Sequence, residues 1–125
     1  MIAGVGIDLC EIARMEKLLE EEKFLRRFFS AEEQAYILKK GKSAASSMAG
    51  LFAAKEALTK ALGTGIVSGA LSDICILHDE NGAPYYDLRG TYAGLAREKG
   101  IQSLFLSISH EAGIAAAVCV AERKD

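Results

Sequence analysis

Residues 43–65 read SAASSMAGLFAAKEALTKALGTG, rich in Ala, Leu and Met and free of proline. These residue types lose little rotamer freedom in a helix, so the stretch predicts a helix over 43–62. Ser43 or Ser46 can cap its start, and Gly63 can close it in a left-handed turn. The helix is apolar around much of its circumference, which places it in the core. Glu56 and Lys60 interrupt that apolar surface. Spacing alone favours a solvated i,i+4 ion pair, worth about 0.3–0.5 kcal/mol, with Lys55 beside it as a solvated lysine.

Shorter elements surround this helix. Residues 2–10 alternate as a strand, with Ala3, Val5, Ile7 and Leu9 on one face and Ile2, Gly4, Gly6, Asp8 and Cys10 on the other. Two glycines beside Asp8 clear that second face, so another group can come close. Residues 11–22 predict a helix with Ile12, Met15, Leu18 and Leu19 inward. Ser30 and Glu33 fit a capping box that opens a helix over 31–40, with Gly41 as its stop. A strand is expected over 71–78, then a turn at Asp79-Glu80-Asn81-Gly82 and a short return over 85–88, with Pro84 at its entry. A helix over 91–99 stopped by Gly100 precedes two apolar strands, 104–110 and 114–121, joined by a turn at Glu111-Ala112-Gly113. There are no repeats, and the mixture predicts one α+β domain over 1–125.

Composition excludes several classes. The chain has 125 residues, 50% hydrophobic and 26% charged, which is neither disordered nor fibrous. Fifteen Lys and Arg against seventeen Asp and Glu give a net charge of −2, which argues against a general nucleic-acid binder. No apolar run reaches the ~18 residues of a membrane span, and no signal peptide is expected. Cys10, Cys75 and Cys119 are odd in number and far apart, which suggests neither a zinc site nor a disulfide framework. A reducing cytoplasm is the expected location.

Asp8 shifts the reading of Glu56. As a structural residue it would cap the helix that follows. As a functional one it would join Glu56 around a hard divalent ion such as Mg²⁺, which takes one or two carboxylates and completes its shell with water and phosphate oxygens. Lys60 would then neutralise a phosphate or steer a proton. Gly63-Thr64-Gly65 allows a ligand near the backbone, although Gly63 is already explained as a helix stop. His110, after Ser107-Ile108-Ser109, is read either as a phosphate donor or acid–base group or as a turn histidine with a satisfied hydrogen bond. His78 receives no role. A Ser-His-Asp hydrolase lacks its Gly-x-Ser-x-Gly elbow. Arg14 and Lys17 lie one turn apart, and Arg26-Arg27 follow. These could form a basic patch, but the first 42 residues hold eight basic against eight acidic side chains, and a solvated face explains them as well.

Four segments then come together. They are Val5-Gly6-Ile7-Asp8-Leu9 with Arg14, Phe29-Ser30-x-x-Glu33, Phe52-Ala53-Ala54-Lys55-Glu56-Ala57 running through Lys60-Ala61-Leu62-Gly63-Thr64-Gly65, and Leu106-Ser107-Ile108-Ser109-His110. In this order and spacing the chain resembles the holo-acyl-carrier-protein synthases, small 4′-phosphopantetheinyl transferases of bacterial fatty-acid synthesis. The likeness spans nearly the whole chain.

The resemblance implies an α+β phosphopantetheinyl transferase fold, with a long central helix against a small antiparallel sheet in a homotrimer whose active sites lie at subunit interfaces. It implies transfer of phosphopantetheine from coenzyme A to a serine of apo-acyl carrier protein, with Mg²⁺ and release of adenosine 3′,5′-bisphosphate. By the same resemblance Asp8 and Glu56 hold the metal and the pyrophosphate, and Lys60 lies near the transferring phosphate. His110, with Ser109 and Gly63-Thr64-Gly65, belongs to the coenzyme side. The helix over 11–22 docks the acidic carrier through Arg14, with Lys17, Arg26 and Arg27 completing its basic surface. Glu56 or a water on the metal takes the serine proton. Leu51 stands where many members carry arginine, so the phosphate or carrier contact of such an arginine is missing. A coenzyme A or carrier-binding module without transfer, and a Mg²⁺-dependent phosphohydrolase, are the competing readings.

Overall fold

The structure, a computed structural model, describes residues 1–66 and 71–124. It begins with strand β1 (Ile2–Glu11), followed by helices α1 (Ile12–Leu18), α2 (Glu22–Phe28), α3 (Ala31–Leu38) and α4 (Ala44–Leu62). A hairpin of β2 (Ile74–His78) and β3 (Pro84–Leu88), helix α5 (Gly90–Glu98) and a longer hairpin of β4 (Ile101–Glu111) and β5 (Ile114–Arg123) complete it. All pairings are antiparallel. β5 lies between β1 and β4, and β2–β3 form a separate two-stranded sheet, so the small sheet expected from sequence is two.

The long helix lies at the centre as the sequence indicates. Met48, Ala49, Ala53, Ala54, Ala57 and Leu58 have no exposed surface, and Gly63 closes the helix at φ 74°. Ser43 sits at its N-cap, but neither its side chain nor that of Ser46 caps it; a short 3₁₀ turn over Gly41–Ser43 leads in instead. Ser30 and Glu33 form the capping box of α3. The helix expected over 11–22 ends at Leu18, and α2 is a further helix that the charge run Glu20-Glu21-Glu22 obscured. Asp8 does not end its strand or cap a helix. β1 continues to Glu11, which occupies the N-cap of α1 without a side-chain bond. The 71–78 strand begins only at Ile74, because Leu71–Asp73 form a 3₁₀ turn.

β1 turns its faces opposite to a simple reading of hydrophobicity. The glycine face packs on α4, and the apolar face is left open, with Val5 58%, Ile7 62% and Leu9 65% exposed. Phe105 of β4 is also exposed.

Candidate functional site

Close packing of β1 on α4 builds the site. A Cβ on Gly4 would overlap the carbonyl of Ala61, and one on Gly6 the carbonyl of Ala57, so only glycine lets the backbones meet. Two strand residues advance about 6.8 Å and four helix residues about 6 Å. The antiparallel run therefore carries Asp8, next on the same face, alongside the turn of α4 from Ala53 to Glu56, and the long Lys60 side chain reaches back to it.

Lys60 does not pair with Glu56 as the i,i+4 reading expected. Its Nζ donates to Asp8 Oδ1 at 3.0 Å and to the Ile7 carbonyl at 3.0 Å. The strand supplies two acceptors side by side, a side-chain carboxylate and a backbone carbonyl. The Asp8 side chain is 14% exposed and that of Lys60 53%, so the pair sits at the rim of the contact. Burial pushes the Glu56 carboxyl above its ordinary range and the Asp8 charge pushes it further, while Lys60 and Arg14 pull it back. Two carboxylates and two cations thus share one electrostatic neighbourhood.

Lys55 is the main correction to the sequence reading. Far from being solvated, its side chain has no exposed surface, and its Nζ lies 2.6 Å from Glu33 Oε1. It also donates to the carbonyls of Ile74 at 2.6 Å and Leu71 at 3.1 Å. Lys55 and Glu56 are thus adjacent in sequence but divided in task, one tying α4 to α3 and β2, the other facing Asp8.

The basic side chains separate into two groups. The Arg14 guanidinium lies 5.6 Å from the Phe52 ring centre, and that of Arg27 lies 5.4 Å from Phe28. Phe28 and Phe52 meet edge to face at 6.1 Å, so both arginines cover one aromatic cluster, which Phe24 and Phe29 extend. Arg26 lines a cleft beside Glu20, Glu22 and Gln34, and Lys17 is exposed in the last turn of α1.

Nearer the N-terminus of α4, on the face that packs on the three-stranded sheet, His110 Nε2 lies 3.0 Å from the Ser46 carbonyl. A carbonyl only accepts, so this nitrogen carries the proton. The ring lies over Gly50, where a Cβ would sit 3.1 Å from Nε2. Ser109 is exposed beside it on β4. A shallow cleft runs past Ser47, Gly50, Leu51, Pro84 and His110 to His78, whose ring stacks on Tyr36 at 4.1 Å and 3°. Tyr36 carries Lys40 Nζ on its ring at 4.6 Å. Sequence reasoning passed over Tyr36 and Lys40 and left His78 without a role; partners 42 residues apart leave no periodic signal. Leu51 is 2% exposed and fully part of the core.

Gly63 and Gly65 both take positive φ, 74° and 61°, with open space where each Cβ would stand. The Thr64 and Gly65 amides bond the Thr59 carbonyl at 3.1 and 3.3 Å, which folds the loop back one turn beyond Lys60.

Among the described residues no three His, Cys, Asp or Glu cluster together, so the fold builds no closed metal cage. Asp8 and Glu56 offer two hard oxygen donors and open surface, which suits Mg²⁺ shared with a phosphate rather than zinc.

Comparisons with known proteins show the family. The family profile of the 4′-phosphopantetheinyl transferase superfamily matches residues 4–119. A holo-[acyl-carrier-protein] synthase of Treponema denticola is 48% identical over 122 residues, covering 98% of this chain and 99% of that protein. The crystal structure of the corresponding synthase from Neisseria meningitidis superposes with a TM-score of 0.89 at 35% identity, over 98% of this chain and 100% of that one. The Helicobacter pylori synthase in complex with coenzyme A gives 0.82 at 41% identity, over 94% and 99%.

Proposed function

Since the chain belongs to the 4′-phosphopantetheinyl transferase superfamily, we propose how its residues carry out the transfer. The protein moves 4′-phosphopantetheine from coenzyme A to a serine of apo-acyl carrier protein, yielding holo-carrier and adenosine 3′,5′-bisphosphate for fatty-acid biosynthesis. The observation that carries the reading is the convergence of Asp8, Glu56 and Lys60 at the glycine-paved contact of β1 and α4.

In this reading the serine oxygen of the carrier attacks the phosphorus bearing pantetheine, and the bond to the departing bisphosphate breaks. Asp8 and Glu56 would hold Mg²⁺, which when bound supplies positive charge to the pyrophosphate oxygens. Lys60 places an ammonium where charge builds up during transfer. Glu56 is the candidate to accept or relay the serine proton. Gly63, Thr64 and Gly65 let the coenzyme approach the backbone, and Ser109 and His110 complete its side of the site, with His110 lining the cleft beside Gly50. A binding module without transfer would have no use for a two-carboxylate, two-cation set.

Arg14, with Arg27 on the same aromatic cluster and Lys17 and Arg26 nearby in sequence, supplies the surface for the acidic carrier; opposite charge speeds encounter. A homotrimer is part of the reading. It is supported by the open apolar face of β1 and by Phe105, a surface that a second copy would cover. Light scattering near the monomer mass of 13.4 kDa would remove it. A cytoplasmic setting is supported by three buried cysteines that are free thiols, and no described helix is long and apolar enough to cross a membrane.

The test is mass spectrometry of apo-carrier incubated with coenzyme A, with and without Mg²⁺. A Mg²⁺-dependent gain of one phosphopantetheine is expected; coenzyme A consumption that is equally fast without carrier would instead point to the phosphohydrolase. In the same assay Arg14→Glu should raise KM for the carrier about tenfold with KM for coenzyme A unchanged. Equal losses on both substrates would contradict the docking role.

A further inference from the structure

In this structure a side chain already stands where a cation is needed. Lys60 Nζ binds Asp8 Oδ1 and the Ile7 carbonyl, and Glu56 lies within the field of both Asp8 and Lys60. An ammonium on Asp8 and a divalent ion on the same carboxylate repel each other, since three positive charges would crowd a few ångströms. The ammonium on Oδ1 and a divalent ion on the same carboxylate therefore weaken one another.

We infer that Lys60 is the counter-ion of Asp8 and competes with a divalent cation for that carboxylate, so that metal and coenzyme bind as a coupled pair. The lysine is equipped to move. Its side chain is half exposed, on a flexible four-carbon stem, one turn before the Gly63-Thr64-Gly65 loop. An exposed pair of this kind is shallow, so the barrier to displacement is modest rather than prohibitive. A pyrophosphate arriving beside α4 gives the ammonium a new anion and frees Asp8 in the same motion. The metal helps the coenzyme by the same factor, as linkage requires. With no coenzyme present, Lys60 neutralises Asp8 and keeps the carboxylate pair from collecting stray cations.

This rests on Asp8 and Glu56 being the metal carboxylates, and the experiment separates the two claims. Mn²⁺ serves as the probe, its free concentration read by electron paramagnetic resonance, with and without coenzyme A, at constant ionic strength. Lys60→Met keeps the stem and removes the charge; Lys60→Arg keeps the charge; Asp8→Asn removes the carboxylate; circular dichroism confirms that each is folded. Without coenzyme A, Lys60→Met should bind Mn²⁺ about five- to tenfold more tightly than the native protein, and Lys60→Arg should not. The factor by which coenzyme A tightens Mn²⁺ should shrink correspondingly in Lys60→Met. Mn²⁺ binding that is lost in Asp8→Asn but equal or weaker in Lys60→Met overturns the displacement alone. Binding that is indifferent to Asp8→Asn, even with coenzyme A, overturns the metal assignment and the displacement with it.

Discussion

Replacing Asp8 by Asn or Glu56 by Gln is expected to cut carrier modification by about 10²- to 10³-fold, the scale for removing one preorganised electrostatic contact from a charge-developing transition state. The melting temperature should meanwhile hold or rise for Glu56→Gln and fall by at most about 5 °C for Asp8→Asn. Glu56 is held half-buried beside another carboxylate, and both its burial and Asp8 disfavour its charged form. Gln has nearly the same shape without the charge, so the folded state loses a repulsion and a desolvation cost. Asn at position 8 forfeits only a rim ion pair with Lys60, worth at most about 1 kcal/mol. Falling activity with constant or increased stability marks a residue kept for chemistry at some expense of the fold. The check is a carrier mass-shift time course beside a thermal melt of each variant. Near-native turnover in both variants would remove the carboxylate pair from the mechanism, and a collapse in melting temperature would make it structural.

The parts of the fold that were legible in the sequence are those whose signal is local. The capping box of Ser30 and Glu33 is a reciprocal pattern three residues long, and it forms as read. The glycine face of β1 announced a close approach, and the α4 backbone makes it. The same face carries Asp8 toward α4, because a residue two beyond Gly6 must look toward whatever fills the gap. What failed was non-local. Lys55 was read as solvated from its neighbour Glu56, yet its partners are Glu33, Leu71 and Ile74. One available clue was missed: with Ala53, Ala54, Ala57 and Leu58 all apolar, the helix leaves Lys55 no wet side to occupy. The apolar face of β1 obeyed the strand period but not the usual direction, since glycine rather than hydrophobicity chose which face could take the helix. Helix α2 escaped notice because neither Gly nor Pro marks the break between Leu18 and Glu22.

Lys55→Met is expected to cost about 3–5 kcal/mol, the range for breaking a buried ion pair on one side only. Neither side chain of the pair has exposed surface. Glu33 accepts from the Ser30 amide at 2.9 Å and the Ile76 amide at 3.1 Å besides Lys55, so its charge is held by three donors. Met would remove the only cation among them and strand the Leu71 and Ile74 carbonyls. Burial alone drags the Lys55 ammonium toward its neutral form, and the Glu33 charge beside it is the largest opposing influence. Glu33→Gln should therefore be damaging as well, by leaving that ammonium facing only dipoles. A domain this size is stable by about 5–15 kcal/mol in all, so either change consumes a large share of the margin. The double variant should be about 2–3 kcal/mol better than the sum of the singles, because a neutral pair leaves no uncompensated charge. Urea midpoints across the four proteins measure this directly. Strict additivity would mean that the two groups do not share a buried contact. A Lys55→Met cost below about 0.5 kcal/mol would mean that the lysine reaches water after all, as an ordinary surface substitution would.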